Sequence, residues 1–296
     1  ISSLQKLHKQ GKRGIVDMGE KDMSEKILED YNDVFSDIVN VLLFHGQELI
    51  EPSALESISV HSQYKGEDAK LHEQERDVAK KWKRYNVQLA IIGIENQTAV
   101  EKKMPFRLIG YDGASYKSQL QANAAPIAPV VTIVLYFGEK HWCKERNIKS
   151  LMNIPKELDP YVNDYKMEVF EIAWLTDEQI EMFKSDFKVV ARFFVNKRRN
   201  PDYVADDPTE IQHVDEVLKL LSVMTGDRDY EKVICDEMKG QVKSMCDVAE
   251  RLKNMGRQEE RINAVKFAIS LGASEEKILK QYSKEEYEKA LALMKA

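Results

Sequence analysis

The stretch Val87–Gln97, VQLAIIGIENQ, most restricts what this chain can fold into. Leu89, Ala90, Ile91, Ile92 and Ile94 form a run too short for a comfortable helix and rich in β-branched and aliphatic side chains. Such a run favours a strand buried on both faces. It ends abruptly in an acid and two amides. On a strand, alternate residues share a face, so Glu95 and Gln97 project together and Asn96 points the other way. A carboxylate at the end of a buried strand costs free energy unless something binds it. A helix cap or a surface turn would also accommodate these residues, so the surroundings have to decide.

A chain of 296 residues is long enough for a main domain plus an appendage. With 43% hydrophobic and 32% charged residues, it has a globular rather than a disordered composition. No segment approaches the ~18–20 uninterrupted apolar residues of a membrane helix, so no membrane partner is expected. The start, ISSLQKLHKQGKR, lacks the apolar core of a signal peptide. Cys143, Cys235 and Cys246 form no CxxC, which suits a reducing cytoplasm. The net charge of −6 argues against non-specific coating of nucleic acid. Local basic clusters nevertheless flank the strand: Lys80, Lys81, Lys83 and Arg84 before it, Lys102 and Lys103 after it, and Lys197, Arg198 and Arg199 further on.

From Ser24, residues Ile27, Leu28, Tyr31, Val34, Phe35, Ile38, Val39 and Leu42 recur at three- and four-residue steps, predicting one amphipathic helix that ends near Gly46. Ser57–Val60 is β-like, and a polar loop follows around Gly66. Leu71–Trp82 reads either way: as a helix Val78 and Trp82 stack, and as a strand Glu73, Glu75 and Asp77 share a face. The extended reading is adopted. A helix over about 105–120, a second buried strand in Pro129–Gly138, a short helix at 150–158 and a strand near 165–173 follow. Thr176 and Gln179 then predict a capping box opening a helix that runs, with one kink, to about Asn196. The polar stretch Asn200–Pro208 suggests a boundary between a domain at 22–205 and a helical region at 206–296. Beyond it, helices are expected at 211–224, 230–255, 257–271, 274–281 and 285–295, the last opened by a Ser283–Glu286 capping box. Val265, Phe267, Ala268, Ile269 and Leu271 read as intramolecular core. The fold class is thus α/β: a mixed sheet flanked by helices, followed by a C-terminal all-α region.

Common catalytic patterns are missing. His72-Glu73 begins like HExxH, but residue 76 is arginine; Gly113-Ala114-Ser115-Tyr116-Lys117 lacks the last glycine of a nucleophile elbow; no P-loop or GxGxxG occurs. What survives is a set of acids: Asp33 on the first helix, Asp77 before the strand, and Glu95 with Gln97 at its end. Hard cations such as Mg²⁺ are held by one or two carboxylates with waters and substrate phosphate. Asp77 and Glu95 are the candidate direct ligands of Mg²⁺ or Mn²⁺, the Asn96 backbone carbonyl a third, and Asp33 a residue acting through water.

An acid, a variable gap and a buried strand ending in Glu-x-Lys is the signature of the PD-(D/E)XK nuclease superfamily. Through Asn32-Asp33-Val34-Phe35, Arg76-Asp77-Val78, Gly93-Ile94-Glu95-Asn96-Gln97, Met104-Pro105-Phe106-Arg107 and Pro129–Gly138 with Trp142, residues 25–200 resemble its recombination-promoting nuclease branch, also labelled putative transposase. The resemblance implies a restriction-endonuclease-like core, DNA as partner, and metal-dependent hydrolysis of phosphodiesters linked to recombination or mobile-element DNA. Gln97 stands where lysine is usual: an amide can orient water but cannot acidify it through charge. Lys80 and Arg107 are candidates for the missing cation, and Tyr116 and Gln119 could face the site. If the site has decayed, the fold would instead bind DNA or a protein. The helical region could contact DNA, regulate, or form a homodimer.

Overall fold

In the computed structural model, the described residues are 28–58, 61–65, 71–75, 77–85, 87–233 and 242–295. Arg76 and Cys235, and the predicted helix start at Ser24, lie outside them. The chain divides into two compact units, Ile1–Tyr203 with Ile211–Asp227, and Val204–Glu210 with Arg228–Ala296.

The first unit is built on a five-stranded mixed sheet of order β1-β4-β5-β6-β7. Its strands are β1 (Leu55–Ser57), β4 (Val78–Arg84), β5 (Val87–Gln97), β6 (Val130–Tyr136) and β7 (Glu168–Glu171). The pairs β1·β4 and β4·β5 are antiparallel, whereas β5·β6 and β6·β7 are parallel. A separate hairpin, β2 (His61–Lys65) with β3 (Leu71–Glu75), occupies the stretch read as a polar loop followed by an extended segment. The extended reading of Leu71–Trp82 thus holds as two strands, β3 and β4.

Helix α1 (Asn32–Leu42) precedes the sheet, and α2 (Met104–Gln121) crosses from β5 to β6, as a parallel pair requires. Alternation along β6 explains two covered faces. Val134 and Tyr136 join Met104, Leu108 and Tyr111 of α2, with Trp142, Met167 and Val169, in one buried cluster. Phe137, on the opposite parity, meets Phe187 and Phe194 of α4 (Phe187–Arg199) at 6.4 and 5.0 Å between ring centroids. A β-carbon at Gly138 would fall 2.1 Å from the Tyr136 hydroxyl, so glycine is what leaves room for that ring beside Trp142.

Three of the predicted helices change here. The helix predicted from Ser24 to Gly46 is broken at Tyr31, whose backbone is extended (φ −70°, ψ 131°). The kinked helix after Thr176 is two helices, α3 (Asp177–Met182), opened by the expected capping box, and α4. The short helix at 150–158 is replaced by single 3₁₀ turns at Lys149–Leu151 and Asp159–Tyr161. Helix α5 (Val214–Thr225), assigned from sequence to the C-terminal region, clusters with the first unit. Buried Asp186 ties its start down by accepting from the Gln212 and His213 amides (3.0 and 2.6 Å) and facing His213 Nδ1 at 2.9 Å.

The elements described in the second unit are helices: α6 (Asp229–Lys232), α7 (Met245–Ser270), α8 (Glu275–Ile278) and α9 (Lys284–Lys295). Gly256 does not interrupt α7, so the helices expected on either side of it run on as one, starting at Met245 rather than at Tyr230. Val265, Ile278 and Ala290 form its core, with Ala268 and Ile269 packed against them; Phe267 and Leu271, expected inside, are 66% and 71% exposed. Among the described residues, no helix is long and apolar enough to cross a membrane.

Candidate metal and phosphate site

Strand β5 is exposed at its start and buried from Ala90 to Asn96, so its polar end is carried into the interior. Val78 pairs with Ile94, and extending that antiparallel register sets Asp77 opposite Glu95. The Asn96 amide donates to Asp77 Oδ2 at 2.6 Å, fixing the carboxylate across the strand end. Gln97 Nε2 lies 3.4 Å from Glu95 Oε1, which places the amide on the face that strand alternation predicts.

A third acid joins this group. Glu29 is 1% exposed, and its Oε2 accepts from Asn96 Nδ2 at 2.5 Å. Burial pushes its carboxyl well above the usual range; the Asn96 hydrogen bond opposes that, and the nearby charges of Asp77 and Glu95 raise it further. Asp33 is not brought to this cluster by any contact described for it. It is 41% exposed, and its Oδ1 is 3.9 Å from Nε2 of His213. The cause is the extended break at Tyr31, which prevents Glu29 and Asp33 from lying one turn apart on a single helix face.

The two cations proposed from sequence have different fates. Lys80 is fully buried, and its Nζ donates to Asp30 O (2.6 Å), Asp30 Oδ1 (3.0 Å) and Ser57 Oγ (2.9 Å). It therefore clamps the turn that follows Glu29. Arg107, from the first turns of α2, pairs through Nη2 with Glu95 Oε1 and donates to the Tyr111 hydroxyl at 3.1 Å. Burial works against the Arg107 charge, but Glu95, Tyr111 and Asp77 outweigh it and raise the guanidinium pKa. Burial and the Glu95 charge likewise raise the Tyr111 phenol, against the lowering effect of Arg107. Tyr116 and Gln119 do not face the acids. The Tyr116 hydroxyl accepts from the Val130 amide, and Gln119 exchanges hydrogen bonds with the Ala128 backbone, so both brace the entry to β6.

Among the described residues, no group of three or more His, Cys, Asp and Glu side chains is placed to hold a metal ion. A site here would therefore rest on two carboxylates with waters. The donors at the strand end are carboxylate oxygens; the buried Asn96 Oδ1, which has no hydrogen-bond partner among the described residues, belongs to a side chain that alternation turns away from Glu95 and toward Glu29. Mg²⁺ is commonly held by only one or two carboxylates, with waters completing its octahedron.

Fold and site together define an α/β protein with a buried carboxylate cluster at one end of a mixed sheet. A family model described as "putative transposase, YhgA-like" matches residues 68–221, more than half of the chain, and the protein belongs to that family. No curated protein and no solved structure matches it.

Proposed function

We propose that the protein is a metal-dependent DNA endonuclease that hydrolyses phosphodiester bonds, in the cytoplasm, on recombining or mobile-element DNA. The observation that carries this reading is the convergence of Asp77, Glu95 and Glu29 at the end of β5, with an arginine beside them. Family membership supports the link to mobile-element DNA, and the resemblance noted from sequence supports hydrolysis. Asp77 and Glu95 would hold Mg²⁺ or Mn²⁺, with the Asn96 backbone carbonyl as a third ligand. When bound, such an ion neutralises phosphate charge and acidifies water. Gln97 orients the attacking water by hydrogen bonding, without the charge a lysine would supply. Glu29 takes the supporting role that sequence gave to Asp33.

The rival reading, a nuclease fold that has lost its chemistry and binds DNA or a protein, draws on Gln97 and on the engagement of Glu95 by Arg107. Plasmid nicking in Mg²⁺, Mn²⁺ or EDTA separates the two. We expect divalent-dependent nicking that Glu95→Ala and Asp77→Ala abolish, Glu29→Ala weakens and Asp33→Ala leaves intact. DNA binding without nicking by any preparation in either metal establishes the rival.

A further inference from the structure

Glu95 is 1% exposed and close enough to Glu29 for their charges to interact, so its charge needs a cation nearby. A cation that serves it is Arg107, whose Nη2 meets Glu95 Oε1. Outside that contact the guanidinium touches the Tyr111 hydroxyl, lies 5.9 Å from the Tyr111 ring centre and reaches to 3.9 Å from Glu101. The Arg107 side chain is 37% exposed, which gives it a path to solvent that Glu95 lacks. We infer that Arg107 is a resident counter-ion: it holds Glu95 until a divalent cation takes the carboxylate, and the released guanidinium then turns to the phosphate of the nucleic acid. This rests on the metal site proposed above. It makes Arg107 the group that provides the positive charge absent at Gln97, supplied from a helix rather than from the strand. Its planar fork suits a phosphate.

A competing counter-ion has an unusual signature, because removing it should tighten metal binding. Mn²⁺ titration followed by electron paramagnetic resonance should give an affinity about tenfold higher for Arg107→Ala and Arg107→Gln than for wild type, the size of one charge-assisted hydrogen bond. Arg107→Lys should stay near wild type, and Glu95→Gln should lose the site. Unchanged or weaker Mn²⁺ binding in the neutral variants overturns the inference. Should those variants not fold, the wild-type Arg107 Nε–H resonance, assigned by its absence in Arg107→Lys, decides: it should shift when Mg²⁺ is added, and a resonance that stays put while Mg²⁺ binds overturns it. For the second half, duplex binding in Ca²⁺ should show a salt slope smaller by about one in Arg107→Ala, and an identical slope excludes the phosphate contact. The two readings fail separately. Nicking lost in Glu95→Ala with Mn²⁺ affinity indifferent to Arg107 keeps the nuclease alone, whereas tighter Mn²⁺ binding without nicking keeps the counter-ion alone.

Discussion

Two arginine–carboxylate pairs, one in each unit, are alike in composition and opposite in circumstance. Arg261 grips Glu286 with both arms, Nε to Oε1 at 2.5 Å and Nη2 to Oε2 at 3.2 Å, and lies 5.2 Å from the ring centre of Tyr282. Glu286 also accepts from the Ser283 amide at 2.7 Å while its own amide donates to Ser283 Oγ, so the pair closes the capping box that starts α9. Arg107 also stands beside a tyrosine, but it meets Glu95 through a single oxygen and feels the negative charge of Asp77 as well. In the first case every bond serves the helix. In the second the carboxylate is buried at a cost that the fold alone does not explain, and burial at such a cost is typical of sites reserved for a ligand.

The sharpest way to break the comparison is to neutralise each carboxylate without changing its shape. Glu95→Gln should reduce nicking roughly a thousandfold, since metal-derived stabilisation is worth several kcal/mol and each ~1.4 kcal/mol is tenfold in rate. It should not lower the melting temperature, because the substitution removes a buried charge and leaves Arg107 partly solvated. Glu286→Gln should do the reverse, destabilising the helical unit and leaving nicking unchanged. Loss of stability without loss of activity in Glu95→Gln would make the two pairs equivalent.

How much of this was readable in advance follows the range of the interactions. Strands β5 and β6 and the capping boxes at Thr176 and Ser283 are written in local pattern: a continuous apolar run, or a hydroxyl and an acid or amide three residues apart. The polar hairpin β2·β3 has no such pattern, and Leu71–Glu75 suits a helix about as well by propensity. Glu29 was hidden by the apolar periodicity that continues through Tyr31, which gives no sign of the break that turns Glu29 inward. Tyr116 and Gln119 have the right residue types in the right helix, but backbone groups across the α2–β6 connection claim them first. The acids on the strand were legible because alternation fixes their side. The acid that arrives from elsewhere was not.

A third cation sharpens the contrast from the structural side. Lys80 is fully buried with three hydrogen bonds, two of them to Asp30, so it should behave like Arg261 despite lying near the acids. Lys80→Met, which keeps the stem and deletes the ammonium, should destabilise the first unit by about 2–4 kcal/mol, measured by urea unfolding, through unsatisfied partners at the turn after Glu29. Mn²⁺ affinity should fall with it as that turn loosens, where Arg107→Ala raises it. A Lys80→Met protein with wild-type stability would mean that the clamp contributes nothing.

The smallest effect, and the one that isolates the Arg261 pair, is its acid sensitivity. Arg261 holds the Glu286 carboxyl at about 2, against a usual 4.5. A depressed carboxylate contributes stability that is complete above its unfolded value and is lost as the pH falls toward its folded one. Helix α9 should therefore weaken between about pH 4.5 and about 2. Hydrogen exchange of its first-turn amides, corrected for intrinsic rates, reads this directly. Arg261→Ala should bring Glu286 back toward ordinary titration and flatten most of that dependence, leaving only what the Ser283 amide still supplies. An α9 that loosens over the same pH range with and without Arg261 would show that the bidentate grip adds no more than geometry, and the distinction between a structural pair and a reserved one would have to rest on Glu95 alone.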